Sequence, residues 1–291
     1  MLAILWSSSY AVIKIGLLGM GPMTLVSGRM MIGSCALLFV LKARSLSLPA
    51  NRSSWISFFI SGMLGSAIPF FLVSYGEAHV ASGLAAILMG IAPVATVLLA
   101  PLVIADEHLT WHSVAGIALG IVGLTILVGS SVLLGIGEHI RGQISILAAA
   151  MCYALTTLYV RRYVTLPPPI MAAGSTLVGA IVISGMALIF EDPMSTMTSN
   201  ASAIVAMIYL GLFPTALATM IYFHLIPVLG ASRMSQINFI VPVLGALLGV
   251  IFLAEALRPT TLVALLIILM AIYLVIRPTR KMKNTPQAED T

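Results

Sequence analysis

Two stretches of this chain repeat one pattern: IAPVATVLLAPLVIADEHL at residues 91–109 and IVPVLGALLGVIFLAEAL at residues 240–257. In each, a proline sits inside an apolar run and a glutamate follows, Glu107 fourteen residues after Pro93 and Glu255 thirteen after Pro242. One more apolar run closes each half, at 113–131 and at 260–277. Upstream, Trp6 to Tyr10 lies where Met151 to Leu155 lies in the second half, so the chain reads as two copies of one unit.

Working outward, apolar stretches bounded by charge, proline or glycine predict ten spans, at 2–19, 23–41, 54–75, 79–103, 113–131, 143–163, 168–190, 202–222, 231–253 and 260–277. A spanning helix needs about 20 apolar residues and satisfies its own backbone in a medium that offers no hydrogen bonds. Composition agrees: of 291 residues 60% are hydrophobic and 8% charged, with a mean hydropathy of +1.12. Soluble domains run at roughly 45–50% apolar and about 25% charged. A water-soluble core has no room for so much apolar surface.

The expected fold is an all-α integral membrane protein, with ten transmembrane helices arranged as two inverted five-helix repeats around a central cavity. The first repeat covers 1–131, a linker 132–142, the second repeat 143–278 and a disordered cytoplasmic tail 279–291. The N-terminal apolar run has no basic segment before it and no small-residue cleavage pattern after it, and is read as a retained first helix.

Five spans per repeat is an odd number, so equivalent helices cross the bilayer in opposite directions. With the N-terminus inside, the inner side holds Lys42, Arg44, Arg52, Arg161, Arg162, Arg233, Arg277, Arg280, Lys281 and Lys283, and the outer side Arg141 and Arg258. Positive charge stays on the cytoplasmic side, so both termini are expected there. Inverted repeats can exchange conformations about a midplane site and open it to either side in turn. That is the step from architecture to transport.

Other classes find little support. No HExxH, Gly-rich phosphate loop, GxSxG or Asp-rich diphosphate site occurs. The net charge of +5 comes from scattered residues with no basic groove, so no nucleic-acid partner is expected. Cys35 and Cys152 fall inside apolar runs and pack as small hydrophobes, and no metal or cofactor is expected. Glu77, Asp106, Glu107, Glu138, Glu191, Asp192, Glu255, Glu289 and Asp290 all read as span ends, loops or tail. Proton-driven pumps hold a protonatable group deep in the membrane, so uncoupled movement is the expectation.

Lys14 and Arg29 are the basic residues well inside spans, where a charge is costly and marks function by default. Trp6, Ser7, Tyr10 and Lys14 are spaced to share much of one helix face. Gln236 and Asn238 lie close together in the ninth span, yet side chains advance about 100° per residue, so the two cannot serve one ligand equally. Tyr75, Met89, Tyr153, Tyr222 and Phe239 supply material for a pocket that stacks a planar substrate. Pro93 and Pro242 can kink matching helices and are candidate gates. Gly116 with Gly120, and Gly245 with Gly249, permit close helix approach and are read as packing seams.

Ten spans, the Trp6-Ser7-Ser8 opening with Lys14 two turns on, Arg29 in the second span and the paired proline-then-glutamate signatures together resemble the EamA-type members of the drug/metabolite transporter superfamily. Within that group the chain looks most like bacterial inner-membrane exporters of aromatic amino acids. The resemblance implies a basket-like bundle with a cavity lined by the first, third, fourth, sixth, eighth and ninth helices. It also implies export of amphipathic metabolites by alternating access, with an amino-acid-like small molecule and the lipid bilayer as partners and a monomer as the working unit. Aromatic side chains and Met89 would hold the apolar part of the substrate, and Lys14, Gln236 or Asn238 its polar end. Exporters of organic cations are the nearer alternative, and an intramembrane lipid-processing enzyme or scaffold the alternative from another class.

Overall fold

The computed structural model describes residues 1–80, 82–128, 136, 138–193, 200–244 and 259–276. Every regular element among them is helical. The chain order is α1 (Leu2–Leu17), α2 (Pro22–Ala43), α3 (Arg52–His79), α4 in two pieces (Ser82–Met89 and Ile91–Val103), α5 (Trp111–Val128), α6 (Ile140–Tyr163), α7 (Pro168–Phe190), α8 (Ala201–Leu229), α9 (opening with Ala231–Ser235 and continuing over 237–244) and α10 (Pro259–Ile276). Of these, α2, α3, α6, α7 and α8 are each long and apolar enough to cross a membrane.

Two helices run well past the ends expected from the sequence, and the first has consequences. Gly76 does not interrupt the helix, which ends only at the extended backbone of Val80, so α3 runs on to His79 and carries Glu77 in its last turn. Likewise α8 continues past Tyr222 to Leu229, through His224 and Pro227, and stops at Gly230 with φ of +84°, a conformation that favours glycine. Pro93 does not itself break α4. The discontinuity falls at Gly90, and Pro93 sits in the first turn that follows, where a missing N–H costs nothing. In α9 the interruption is at Gln236, and Pro242 lies in the helical stretch beyond it.

Helices in lipid gain no hydrophobic drive from meeting each other, so close backbone approach at small residues carries much of the association. The two halves use the same device. Where α2 crosses α8, a Cβ on Gly33 would lie 3.0 Å from the Gly211 carbonyl oxygen. Where α7 crosses α3, a Cβ on Gly179 would lie 2.9 Å from the Gly62 carbonyl oxygen. Immediately after Gly62 the helix widens into a π-helical segment, Met63–Ala67, and from Gly211 it widens over Gly211–Leu217. Proline explains both, because its ring clashes with the carbonyl four residues back and a wider turn relieves the clash. Pro69 follows the first segment and Pro214 lies within the second.

On the flank, α10 packs along α5. A Cβ on Gly116 would meet the Ala271 carbonyl oxygen at 2.7 Å, and one on Gly120 would meet the Phe239 ring at 2.6 Å, so the first predicted seam joins α5 to both α10 and α9. Gly245, Gly249 and Glu255 lie outside the described residues, as do 132–135 and 137 of the linker and the whole tail.

Two carboxylates tie separate elements together as helix caps. Glu107 accepts from the backbone N–H groups of Ala231 (2.6 Å) and Ser232 (2.9 Å) and from the Ser232 hydroxyl, closing the start of α9. Glu191 accepts from the N–H groups of Met23 (2.9 Å) and Thr24 (2.7 Å) and from the Thr24 hydroxyl (2.7 Å), closing the start of α2. A carboxylate at a helix N-terminus satisfies donors that have no partner within the helix and meets the positive end of its dipole.

Candidate functional site

A cavity walled by seven helices lies within the bundle. Its walls come from consecutive turns of α1 (Trp6, Ser9, Tyr10, Ile13), from Arg29 of α2, Phe70 and Val73 of α3, Met89 of α4, Tyr153 and Thr157 of α6 and Tyr222 of α8. The far wall is α9, through Met234, Ser235, Ile237, Asn238 and Val241. Small-molecule pockets likewise pair apolar and aromatic walls with a few placed polar groups.

Arg29 is the charged group of this lining. It is only 3% exposed, so snorkelling to a membrane surface does not describe it. Nε donates to the Thr215 hydroxyl at 3.0 Å, inside the widened turn of α8, and the guanidinium carbon stands 4.1 Å from the centroid of the Phe70 ring. Among the described residues its terminal nitrogens donate to no protein acceptor, and no carboxylate lines the cavity. A fork of this kind matches a carboxylate in two parallel hydrogen bonds.

Aromatic rings surround it. Trp6 and Tyr222 lie 5.9 Å apart between centroids, and the Tyr222 hydroxyl is 2.8 Å from the Thr157 hydroxyl, which donates to the Tyr153 carbonyl at 2.8 Å. Trp6, Phe70, Tyr153 and Tyr222 also wall a second, smaller cavity, against the π-helical segment of α3 at Gly65 and Ser66.

Of the residues singled out in the sequence, Trp6, Tyr10, Arg29, Met89, Tyr153, Tyr222 and Asn238 meet in the central cavity. The others stand elsewhere. Ser7 is buried with its hydroxyl turned back on the Ile4 carbonyl at 3.0 Å. Lys14 is exposed and lines neither cavity. Tyr75 stacks on His79, with centroids 4.6 Å apart. Gln236 is buried and donates to the Ser232 carbonyl at 3.0 Å, while Asn238 turns to the cavity, as helical spacing requires of positions two apart. Phe239 is fully buried in a cluster with Leu124 and Ile268. Pro93 and Pro242 are outside the lining. Sequence reasoning passed over Ser9, Ile13, Val73, Thr157 and the α9 residues beside Asn238, none of which carries a signal distinct from ordinary packing.

Glu77 lies in the last turn of α3, a span end as expected, but is only 3% exposed there, and neither of its oxygens finds a hydrogen-bond partner among the described residues.

The model of the EamA-like transporter family matches residues 1–129 and 140–277, in effect the whole helical bundle. The chain belongs to the EamA-like transporter family. It is thus a membrane transporter, and the family's ten-helix membrane fold is the one described above. Among its relatives is the uncharacterized inner membrane transporter YedA of Escherichia coli, 29% identical over 94% of this chain and 88% of the relative. A probable terminal-alkyne amino-acid exporter of Streptantibioticus cattleyicolor is 27% identical over 97% of this chain and 94% of its own length. A solved crystal structure at 21% identity superposes with a TM-score of 0.77 over 94% of both chains, which shows a shared fold.

Proposed function

We propose that this transporter exports aromatic amino acids and similar amphipathic metabolites across a bacterial inner membrane by alternating access. The observation that carries this reading is the buried guanidinium of Arg29, open to an aromatic cavity and lacking a protein carboxylate. A buried charge without a counter-ion is costly, so the site is built for an anionic group. Trp6, Tyr10, Phe70, Tyr153 and Tyr222 offer stacking faces for a planar side chain, and Asn238 with the tyrosine hydroxyls offers acceptors for an ammonium group. Arg29 thus takes the polar role expected of Lys14.

The amino-acid exporter among the relatives is in keeping with this class of substrate. An organic cation fits less well, because the charge on the wall has the wrong sign. In this reading the two halves, 1–131 and 143–278, rock about the cavity as a monomer with both termini in the cytoplasm, and the interruptions at Gly90 and Gln236, ahead of Pro93 and Pro242, are the places where α4 and α9 flex. Counterflow tests it: liposomes holding the purified protein and preloaded with phenylalanine should take up labelled phenylalanine well above empty liposomes. Uptake equal to that of empty liposomes would reject the substrate class.

A further inference from the structure

Glu77 has no part in the cavity described above, yet its placement is costly. Both carboxylate oxygens are buried and unpartnered among the described residues. An ionised carboxylate in such a place needs a counter-charge, and an ionisable side chain buried without one inside a membrane bundle is the kind of group that carries protons or ions. The neighbours narrow the choice.

From α1, Ile13 shares a buried cluster with Val73 and Val80 of this end of α3 and Tyr10 packs against it, while Lys14 is the charged group next along that helix and makes no ion pair with Glu77. From α6, Gly142 and Ile146 pack against this turn of α3 at Gly76. The titratable groups that α6 and α2 bring to this region are the exposed Arg141, Tyr153 in the cavity wall and Arg29, already bonded to Thr215. The α4 segment 82–103 carries none. On α3 itself, His79 places Nδ1 2.8 Å from the Tyr75 carbonyl oxygen and stacks on that ring. No group of three His, Cys, Asp or Glu side chains gathers among the described residues, so the donor set suits a proton better than a metal ion. Tyr10 lines the substrate cavity and also packs on the buried cluster of Val73 and Val80, which stand on either side of Glu77 in the chain, so α1 borders both places.

We propose that Glu77 is a proton-coupling site of this transporter. After substrate leaves on the outer side, one carboxylate oxygen of Glu77 takes a proton from that side, forming an O–H bond. The O–H bond breaks and the proton leaves on the inner side before substrate binds there again, so one proton enters for each molecule exported. This rests on the transport reading above.

The test uses full-length protein in liposomes with equal phenylalanine on both sides and an imposed pH gradient. A one-unit gradient exchanging one proton per substrate supports at most about tenfold accumulation. Wild type should approach that ratio, and Glu77→Gln should stay near unity while its counterflow still exceeds that of empty liposomes. Glu77→Asp, which keeps the acid, should recover part of the gradient response. Infrared titration of the carboxylic acid band gives a readout independent of substrate: a pH-dependent component should be present in wild type and absent from Glu77→Gln. Coupling at Glu77 is overturned if wild type ignores the gradient, if Glu77→Gln accumulates substrate as wild type does, or if the titrating band survives the substitution. Absence of counterflow in every protein would instead reject the substrate reading, leaving the infrared result to decide on Glu77.

Discussion

Arg29 of α2 and Thr215 of α8 are joined by a 3.0 Å hydrogen bond that crosses between the two halves of the chain, and Thr215 stands within the widened turn that Pro214 imposes. The bond uses Nε, aims the rest of the guanidinium past Phe70 and leaves the planar fork for a ligand. A rigid element thus orients the charge, and the aromatic wall surrounds it.

Arg29→Gln should weaken phenylalanine binding by about 1.5–3 kcal/mol, the usual worth of a hydrogen bond to a charged group. Arg29→Lys should recover only part of it, since an ammonium cannot form the two parallel bonds. Lys14→Ala, at an exposed position outside the cavity, should cost less than Arg29→Gln. Equilibrium binding to purified protein in detergent measures all three, and a larger loss for Lys14→Ala would move the anion site to α1.

Trp6 is the tryptophan of the cavity, whereas Trp55 and Trp111 are 40% and 78% exposed. Phenylalanine should therefore change the emission of wild type and of a Trp55→Phe, Trp111→Phe double variant alike, and leave Trp6→Phe without a response. Trp6→Ala should weaken an aromatic substrate by about 1–3 kcal/mol, with a smaller effect on an aliphatic amino acid of similar charge.

Glu107→Ala removes the acceptor of two backbone N–H groups and a hydroxyl at the start of α9, and Glu191→Ala does the same for α2. Each should destabilise the protein by about 1 kcal/mol or somewhat more, seen as a fall of a few degrees in the detergent Tm. Glutamine at either position keeps an acceptor and should fall between.

The glycine crossings predict an asymmetric outcome. Alanine at Gly179 or Gly211 brings a Cβ within 2.9 Å of the Gly62 carbonyl oxygen or 2.8 Å of the Arg29 carbonyl oxygen, so backbone must move and the Tm should drop. At Gly185, on the same helix as Gly179, an added methyl would have nothing within 4 Å, so Gly185→Ala should raise helix stability by up to about 1 kcal/mol. Equal responses at Gly179 and Gly185 would contradict the close crossing.

Helix number and order were legible because each span is a long apolar run that lipid requires to be helical, and the proline-then-glutamate pairs marked the repeat. The end of α3 was not: Tyr75, Glu77 and His79 look like a polar exit, and only their packing on α1 and α6 shows that the helix continues. Arg29 and Lys14 carry the same charge in similar runs, and what separates them is which neighbour each helix face meets. That depends on the crossings at Gly33 and Gly211, which no local pattern encodes. Asn238 and Gln236 were separable by helical phase, although not which of the two would face the cavity.

Competition in counterflow is the most direct test of an anion-seeking aromatic cavity. Labelled phenylalanine uptake into preloaded wild-type liposomes should be blocked by unlabelled tyrosine or tryptophan and by phenylpropionate, which keeps ring and carboxylate, but not by phenethylamine, which keeps ring and amine. Blocking by phenethylamine as strong as by phenylpropionate would show that the cavity does not select for the carboxylate, and would contradict the role given to Arg29.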